Sequence, residues 1–500
     1  MKNICLSFFI ILITILHANE ELKSQIDMDY HLHLYSISRL SDGGVVKIPF
    51  RLGDVDFAYY NEDIKISSRL SLEYKPKFSD FYFDANYPQE FSIDLRELYL
   101  TWYFDNAELR VGKQIHTWGS VDQNSPLDNA SPYDYYYIFS IGKEQKMGSF
   151  SGAFDYYFGN STLGIVFSPI HHTNRLPLGN DDFPIELPVI PRSIQMQEVE
   201  NEFEYGAYLK HSFDRSDITL SYYKGNDRVY NLSGINVYTP AANSVNPANL
   251  DSIFTHRKTE ILGLGTSVVT DFVTIRADYG KFYTYDPNSD YSDRIRLDKL
   301  EGNPTEAALW QYLHTTQAVE EEAHYDQATL QFEFSSEKGN VILGLFDYNV
   351  RKYKANFLPK VSIPGLESDV DPRDYFYPGF GAPIAILTER AFMYQIKRDI
   401  NSSIQLNAKG VNDLIHKGYL SELGLVYSAN ENLKIHMYIN KIVGDDSQDR
   451  DYRFNQMSNT NQTQLIQRDI SPTDTPEIIE YYKYGKGDFS HFRIELEYFF

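Results

Sequence analysis

The sequence predicts an all-β fold, a transmembrane antiparallel β-barrel of about 18 strands. Three observations carry that prediction. Apolar and polar residues alternate with period 2 along most of the chain. The connections alternate between tight and long. Aromatic residues are abundant, 40 Tyr and 32 Phe among 500 residues, in a chain that is 23% charged. A wall with lipid on one face and water on the other needs that alternation, and its interfacial girdles need Tyr and Phe.

The alternation is clearest at the two ends of the chain. Phe492, Ile494, Leu496, Tyr498 and Phe500 share one face, and His491, Arg493, Glu495 and Glu497 the other. Ile26, Met28, Tyr30, Leu32 and Leu34 alternate with Asp27, Asp29, His31, His33 and Tyr35. Ile64 to Tyr74 repeats the pattern with Lys65, Arg69 and Glu73 on its polar face, and Leu433 to Ile439 lies opposite Lys434, His436, Tyr438 and Asn440. Segments are expected near 26–40, 50–60, 64–76, 91–104, 107–117, 148–158, 161–168, 202–213 and 216–225. They continue at 258–269, 272–283, 324–335, 339–352, 388–399, 402–410, 418–429, 432–443 and 488–500. Loss of one hairpin would give about 16 strands, still an even number.

Short turns rich in Asn, Asp and Gly fall at Asn61-Glu62-Asp63, Asp105-Asn106, Gly159-Asn160, Asp214–Ser216, Thr270-Asp271, Glu337–Gly339, Ile400–Ser402 and Ala429–Glu431. Between them lie long polar stretches at 77–90, 118–147, 169–201, 226–257, 284–323, 353–387 and 444–487, with 41–49 and 411–417 the short members of that class. Alternating tight and long connections match periplasmic turns and extracellular loops. A short helix is expected at Thr305 to Leu313.

The termini fit an exported barrel. Lys2, the apolar run Ile4 to Leu16 and Leu16-His17-Ala18 read as a signal peptide over residues 1–18, leaving 19–500 as a single barrel domain. Cleavage would remove Lys2 and the one cysteine, Cys5, and take the net charge from −23 to −24. The mature chain then has no thiol for a disulfide, a metal or nucleophilic catalysis. After the signal there is no apolar run long enough for a spanning helix.

Phe500, with Tyr498 and other aromatics at alternate positions before it, resembles the C-terminal signature of bacterial outer-membrane barrels. That likeness implies recognition by the barrel-assembly machinery and residence among outer-membrane lipid and lipopolysaccharide. A second segment, Gly112-Lys113-Gln114-Ile115-His116-Thr117-Trp118-Gly119 continuing through Asp122, Asn124, Pro126, Asp128, Ser131-Pro132 and Asp134, resembles single-chain porin-like barrels, including uncharacterised ones and the alginate-export group. It spans about thirty residues. The resemblance implies passive or facilitated passage of small hydrophilic solutes by a monomer or a homotrimer. Neither a cofactor nor nucleic acid is expected.

Gly112 and Gly119 suit backbone that a Cβ would obstruct, and Trp118 is expected to end its strand at the outer aromatic girdle. The loop that follows, 118–147, carries Tyr133, Tyr135, Tyr136, Tyr137 and Phe139. Two readings stand: the loop folds into the lumen as a constriction, or it is an ordinary external loop.

If the face bearing Phe500 meets lipid, the lumen receives His31, His33, Lys65, Arg69, Arg110, Arg276, Asp278, Lys434, His436, Arg493 and Glu495, among others. Lys434, His436, Arg493, His31, His33, Lys65 and Arg69 could form a basic strip opposite Asp122, Asp128 and Asp134 of the loop, setting up a transverse field. The plainer alternative is a set of solvated wall charges neutralised by Glu495, Glu497, Asp27 and Asp29. His31, His33 and His436 could together hold a metal, although a hydrated pair is the simpler reading. Asp122, Asn124 and Asp128 lack the Gly and bidentate Glu of a calcium loop. Two other function classes remain open: an outer-membrane hydrolase working at the barrel rim, and a surface adhesion barrel. A nucleophile–His–orienting-group set, which the first would need, is not evident, and an energy-coupled transporter would require a plug domain ahead of the first strand.

Overall fold

The computed structural model describes residues 25–46, 48–74, 91–122, 124–137, 145–177, 196–197, 199, 201–238, 249–286, 314–318, 320–355, 376–415, 418–443 and 490–499. The signal segment 1–18, Phe500, the helix expected at 305–313 and the connections 77–90 and 444–487 lie outside the described residues.

Eighteen strands form one closed antiparallel sheet. They are β1 Ile26–Arg39, β2 Phe50–Asn61, β3 Ile64–Tyr74, β4 Phe91–Phe104, β5 Ala107–Gln114, β6 Ser149–Phe158, β7 Ser161–Ser168, β8 Glu204–Ser212 and β9 Ser216–Asn226. The wall continues with β12 Lys258–Val269, β13 Thr274–Tyr285, β15 Glu321–Ser336, β16 Gly339–Ala355, β17 Arg390–Asp399, β18 Ile404–Asp413, β19 Tyr419–Ser428, β20 Leu433–Val443 and β21 His491–Phe499. Each wall strand pairs with the wall strands before and after it, and β21 closes on β1 with Leu34 opposite Leu496 and His33 opposite Glu497. Closure leaves no edge, as a wall immersed in lipid requires.

All eighteen expected segments are present as wall strands, and all eight tight turns fall where Asn, Asp and Gly predict them. β13 starts at Thr274 rather than 272, because Thr270 Oγ1 accepts hydrogen bonds from the Phe272 and Val273 amides (3.3 and 3.0 Å) and holds both residues in the turn. Three further strands, β10 Asn231–Tyr238, β11 Asn249–Thr255 and β14 His314–Ala318, form a separate small sheet at the long-loop end. They fall within the connections 226–257 and 284–323, which sequence reasoning read as loops.

The two faces differ as the alternation requires. On β21, Leu496 is 41% exposed on the outside while Arg493 and Glu495 are each 4% exposed inside. The barrel core is therefore in the lumen, built between the wall and chain that folds inward. One buried cluster joins Trp118 to Tyr223, Phe282, Tyr325, Phe376 and Phe380. Another joins Phe50 to Tyr133, Tyr135, Tyr136, Tyr137 and Tyr230.

Candidate functional site

Where β5 ends, the chain leaves the wall and turns inward. Gly112 has φ +137°, and a Cβ there would lie 2.3 Å from the Leu98 carbonyl oxygen, so only glycine fits beside β4. Glu97 accepts the Ile115 amide (2.9 Å), and Ser131 Oγ accepts that of His116 (2.7 Å). Asp128 then ties the two ends of the insert together. It accepts the Trp118 and Gly119 amides (2.6 and 2.8 Å) and the Lys146 ammonium (2.6 Å).

The tip of the insert crosses the lumen to β12, β13 and β15. Asp278 on β13 accepts the Ser120 amide (2.9 Å), the Val121 amide (3.0 Å) and the Ser125 hydroxyl (2.7 Å). Gln331 on β15 receives the Asp122 amide (2.9 Å), and Thr329 donates to the Asn124 carbonyl (2.7 Å). Leu127 drops over Gly263 of β12, where a Cβ would sit 2.4 Å from a Leu127 methyl. Over its described residues the loop 118–147 packs on inward-facing side chains of β13 and β15, and its Tyr133, Tyr135, Tyr136 and Tyr137 are buried.

A second inward segment meets it. Phe376 to Leu387 includes a short 3-10 helix, Pro383–Ile386, with all four residues buried. Asn129 Oδ1 accepts the Gly381 amide (2.8 Å), Asn124 Oδ1 accepts that of Ile384 (3.2 Å), and Tyr135 donates to the Pro383 carbonyl (3.1 Å). Sequence reasoning treated 353–387 as an outer loop. The run Phe376 to Leu387, without a charge among acidic neighbours, was the available signal.

Buried ion pairs fix the first insert to the wall, and an ion-paired arginine packs against the second. Asp134 lies between Arg96 of β4 (3.1 Å) and Arg175 (3.4 Å), and Arg175 also reaches Glu73 of β3 (2.9 Å). Burial opposes the Arg175 charge, but Asp134 and Glu73 outweigh it and raise its pKa well above that of a free guanidinium. A bulge in β4 at Arg96 makes this possible, because Arg69 pairs with Glu97 and Leu70 with Leu95, leaving Arg96 as the extra residue. Arg257, just before β12, bonds Asp227 (2.9 Å) and Glu321 (2.9 Å) and lies 4.6 Å over the Phe376 ring. Isolated Arg and Asp residues in sequence carry no sign of such pairings.

The charged and histidine residues singled out in sequence lie on the inner face of the wall or in the insert. His33 bonds Glu495 (2.8 Å) and approaches Asp54 (3.5 Å), and His31 stacks on it at 6.4 Å. Arg69 pairs with Asp56 (2.8 Å), Arg110 with Asp155 (2.6 Å), and Arg276 with Glu333 (2.6 Å) and Asp122 (3.1 Å). His436 bonds Glu497 (2.8 Å), Lys434 lies 4.5 Å over the Phe499 ring, and Lys65 lies 5.0 Å over that of Tyr60. Arg493 stacks at 4.3 Å on Tyr438, with Glu422 at 3.9 Å. Tyr498 is on the outer face.

Two expectations need correction. Trp118 is not in the outer girdle; it is buried inside against Tyr208 and Tyr223, with ring centres 5.5 and 5.9 Å away. Capping of its amide by Asp128 turns the chain inward before the rim is reached. The loop acids also do not oppose a basic strip of Lys65, Arg69 and Arg493. Asp122 is held by Arg276, Asp128 by Lys146 and Asp134 by Arg96 and Arg175. Arg69, Arg493, His33 and His436 of the strip are instead matched by carboxylates of their own wall, because a charge near low-dielectric surroundings takes the nearest counter-charge. No group of three or more His, Cys, Asp or Glu side chains converges as a metal site among the described residues.

No family model matches the sequence, and no curated protein is similar to it. Solved structures with a similar course include the outer membrane protein OpdK from Pseudomonas aeruginosa, at 10% identity over 95% of this chain and 99% of that one, with a TM-score of 0.45. Acinetobacter baumannii OccAB4 gives 9% identity over 96% and 100% of the two chains and a TM-score of 0.46. Pseudomonas aeruginosa OccK8 (OprE) gives 11% over 95% and 98%, also at 0.46. With its even-numbered closed wall, apolar exterior, tight turns at one end and long connections at the other, this chain has the architecture of a bacterial outer-membrane β-barrel.

Proposed function

We propose that the barrel is a porin-like channel for diffusion of small hydrophilic solutes, narrowed by the inserts at 118–147 and 376–387. The observation that carries this reading is the docking of the first insert across the lumen, on Asp278, Gln331 and Thr329 of the far wall. A pinned chain inside a charged lumen reduces the bore without closing the barrel, and it presents ionic groups to whatever passes. His31, His33, Lys65, Arg69, Arg110, Arg276, Lys434, His436, Arg493 and Glu495 are the proposed lining, and Trp118, Asp122, Asp128 and Asp134 the proposed frame of the constriction. Export by residues 1–18, assembly through Tyr498 and Phe500, and contact with lipopolysaccharide belong to the same proposal. No catalytic role is assigned to any residue. Swelling of liposomes loaded with purified protein tests it: isosmotic small sugars, amino acids and organic acids should cause swelling that falls steeply with solute size. Liposomes that swell with none of them refute the reading.

A further inference from the structure

At the long-loop end, four neighbouring strands bring two imidazoles together. His171 follows β7, Glu204 begins β8, Asp227 follows β9, and His256 precedes β12. The His171 and His256 rings lie 4.8 Å apart at 61°. Each is anchored through the same nitrogen. His171 Nδ1 is 2.8 Å from Glu204 Oε1, and His256 Nδ1 is 2.9 Å from the Asp227 carbonyl oxygen. Both partners are acceptors, so in the neutral rings each Nδ1 carries the hydrogen and each Nε2 keeps its lone pair.

Glu204 is itself immobilised by Arg228 (2.6 and 3.1 Å) and by the Tyr223 hydroxyl (2.8 Å). The His171 side chain is 7% exposed, and its Nε2 is buried without a hydrogen-bond partner. A buried ring nitrogen left unsatisfied is costly, and here it is the nitrogen that the anchoring of Nδ1 makes basic.

We infer that His171 and His256 bind a divalent transition ion through their Nε2 atoms. Imidazoles fixed at Nδ1 by a carboxylate and by a backbone carbonyl show the outer-shell pattern of metal-bound histidine. Two imidazoles bound cis at about 2.0–2.1 Å would have ring centres roughly 4.5–5.3 Å apart, which includes the observed separation. With two nitrogen donors, Cu²⁺ binds ahead of Ni²⁺ and Zn²⁺. The inference does not depend on solute passage through the lumen.

Copper titration of the full chain in detergent micelles, followed by low-temperature electron paramagnetic resonance, tests it. One equivalent of Cu²⁺ should give a spectrum with coupling to two imidazole nitrogens. His171→Gln and His256→Gln should each weaken that binding more than about 100-fold, beyond the usual loss of about 10- to 100-fold from an outer-shell partner. His31→Gln and His33→Gln should leave it unchanged. A wild-type spectrum without two-imidazole coupling overturns the inference whatever the variants do. So does coupling that survives in a folded His171→Gln protein, or that disappears only with His31 or His33.

Discussion

Asp278→Ala is the sharpest perturbation of the proposed constriction, because one carboxylate receives three donors from the insert tip. The Ser120 and Val121 amides and the Ser125 hydroxyl all end on it, at 2.7–3.0 Å. A buried donor left without its partner costs about 1–3 kcal/mol. Ser120 is only partly buried and can rehydrate, and removal of a buried carboxylate relieves its own desolvation. The net loss in docking free energy is therefore about 2–4 kcal/mol, or a roughly 30- to 1000-fold rise in the undocked population at about 1.4 kcal/mol per decade. The wall should stay intact, since β12 and β13 remain joined by register from Lys258–Tyr285 to Val269–Thr274. Limited proteolysis of the folded protein should cut within 118–147 much faster in the variant. Asp278→Asn, which keeps one acceptor oxygen, should fall between. An Ala variant as resistant as the parent would refute the view that Asp278 pins the insert.

Three further outcomes follow from the same geometry. Ile435→Lys places a charge on the lipid face, and near the midplane it should destabilise the barrel by about 2–4 kcal/mol in urea titration; His436→Lys, one residue on and inside, should be tolerated and keep an ion pair with Glu497. Burial, then Arg110, Lys146 and Arg228, pushes the His116 pKa down from 6.5 to about 3. Its contribution to insert docking is thus complete above about pH 6.5 and lost as pH falls towards 3, on the order of 5 kcal/mol over that window; His116→Gln should flatten the pH dependence of protease protection. Arg69→Ala leaves Asp56 and Glu97 without their cation, so the reversal potential in a salt gradient should move towards cation selectivity.

The wall was legible from sequence because a two-sided environment writes itself into every second residue. Tyr30, Leu32 and Leu34 outside against His33 inside is the rule that also places Ile494 and Leu496 against Arg493 and Glu495. Turn positions were legible for a similarly local reason, as at Gly159, where φ is +55°. The inward course of 118–147 left a trace in its tyrosines, but its destination did not. Asp278 is 157 residues from Val121 and Asn124 is 260 from Ile384; closure of the barrel brings them together, and no local pattern records it. The opposed field failed for the same reason. Asp134 is neutralised by Arg96, which a one-residue bulge turns inward, and by Arg175 from another connection.

Single-channel recording in planar bilayers, comparing the full chain with a form lacking residues 121–140, tests the central claim most directly. The deletion removes the tip that docks on Asp278 and Gln331, and with it Asp128, Asp134 and the tyrosines of the lumenal core. The full chain should show small, discrete conductance steps, and the deletion should raise the step size and weaken discrimination among solutes. Equal steps from both folded proteins would place the insert outside the conducting path, and silence from both would contradict the channel itself.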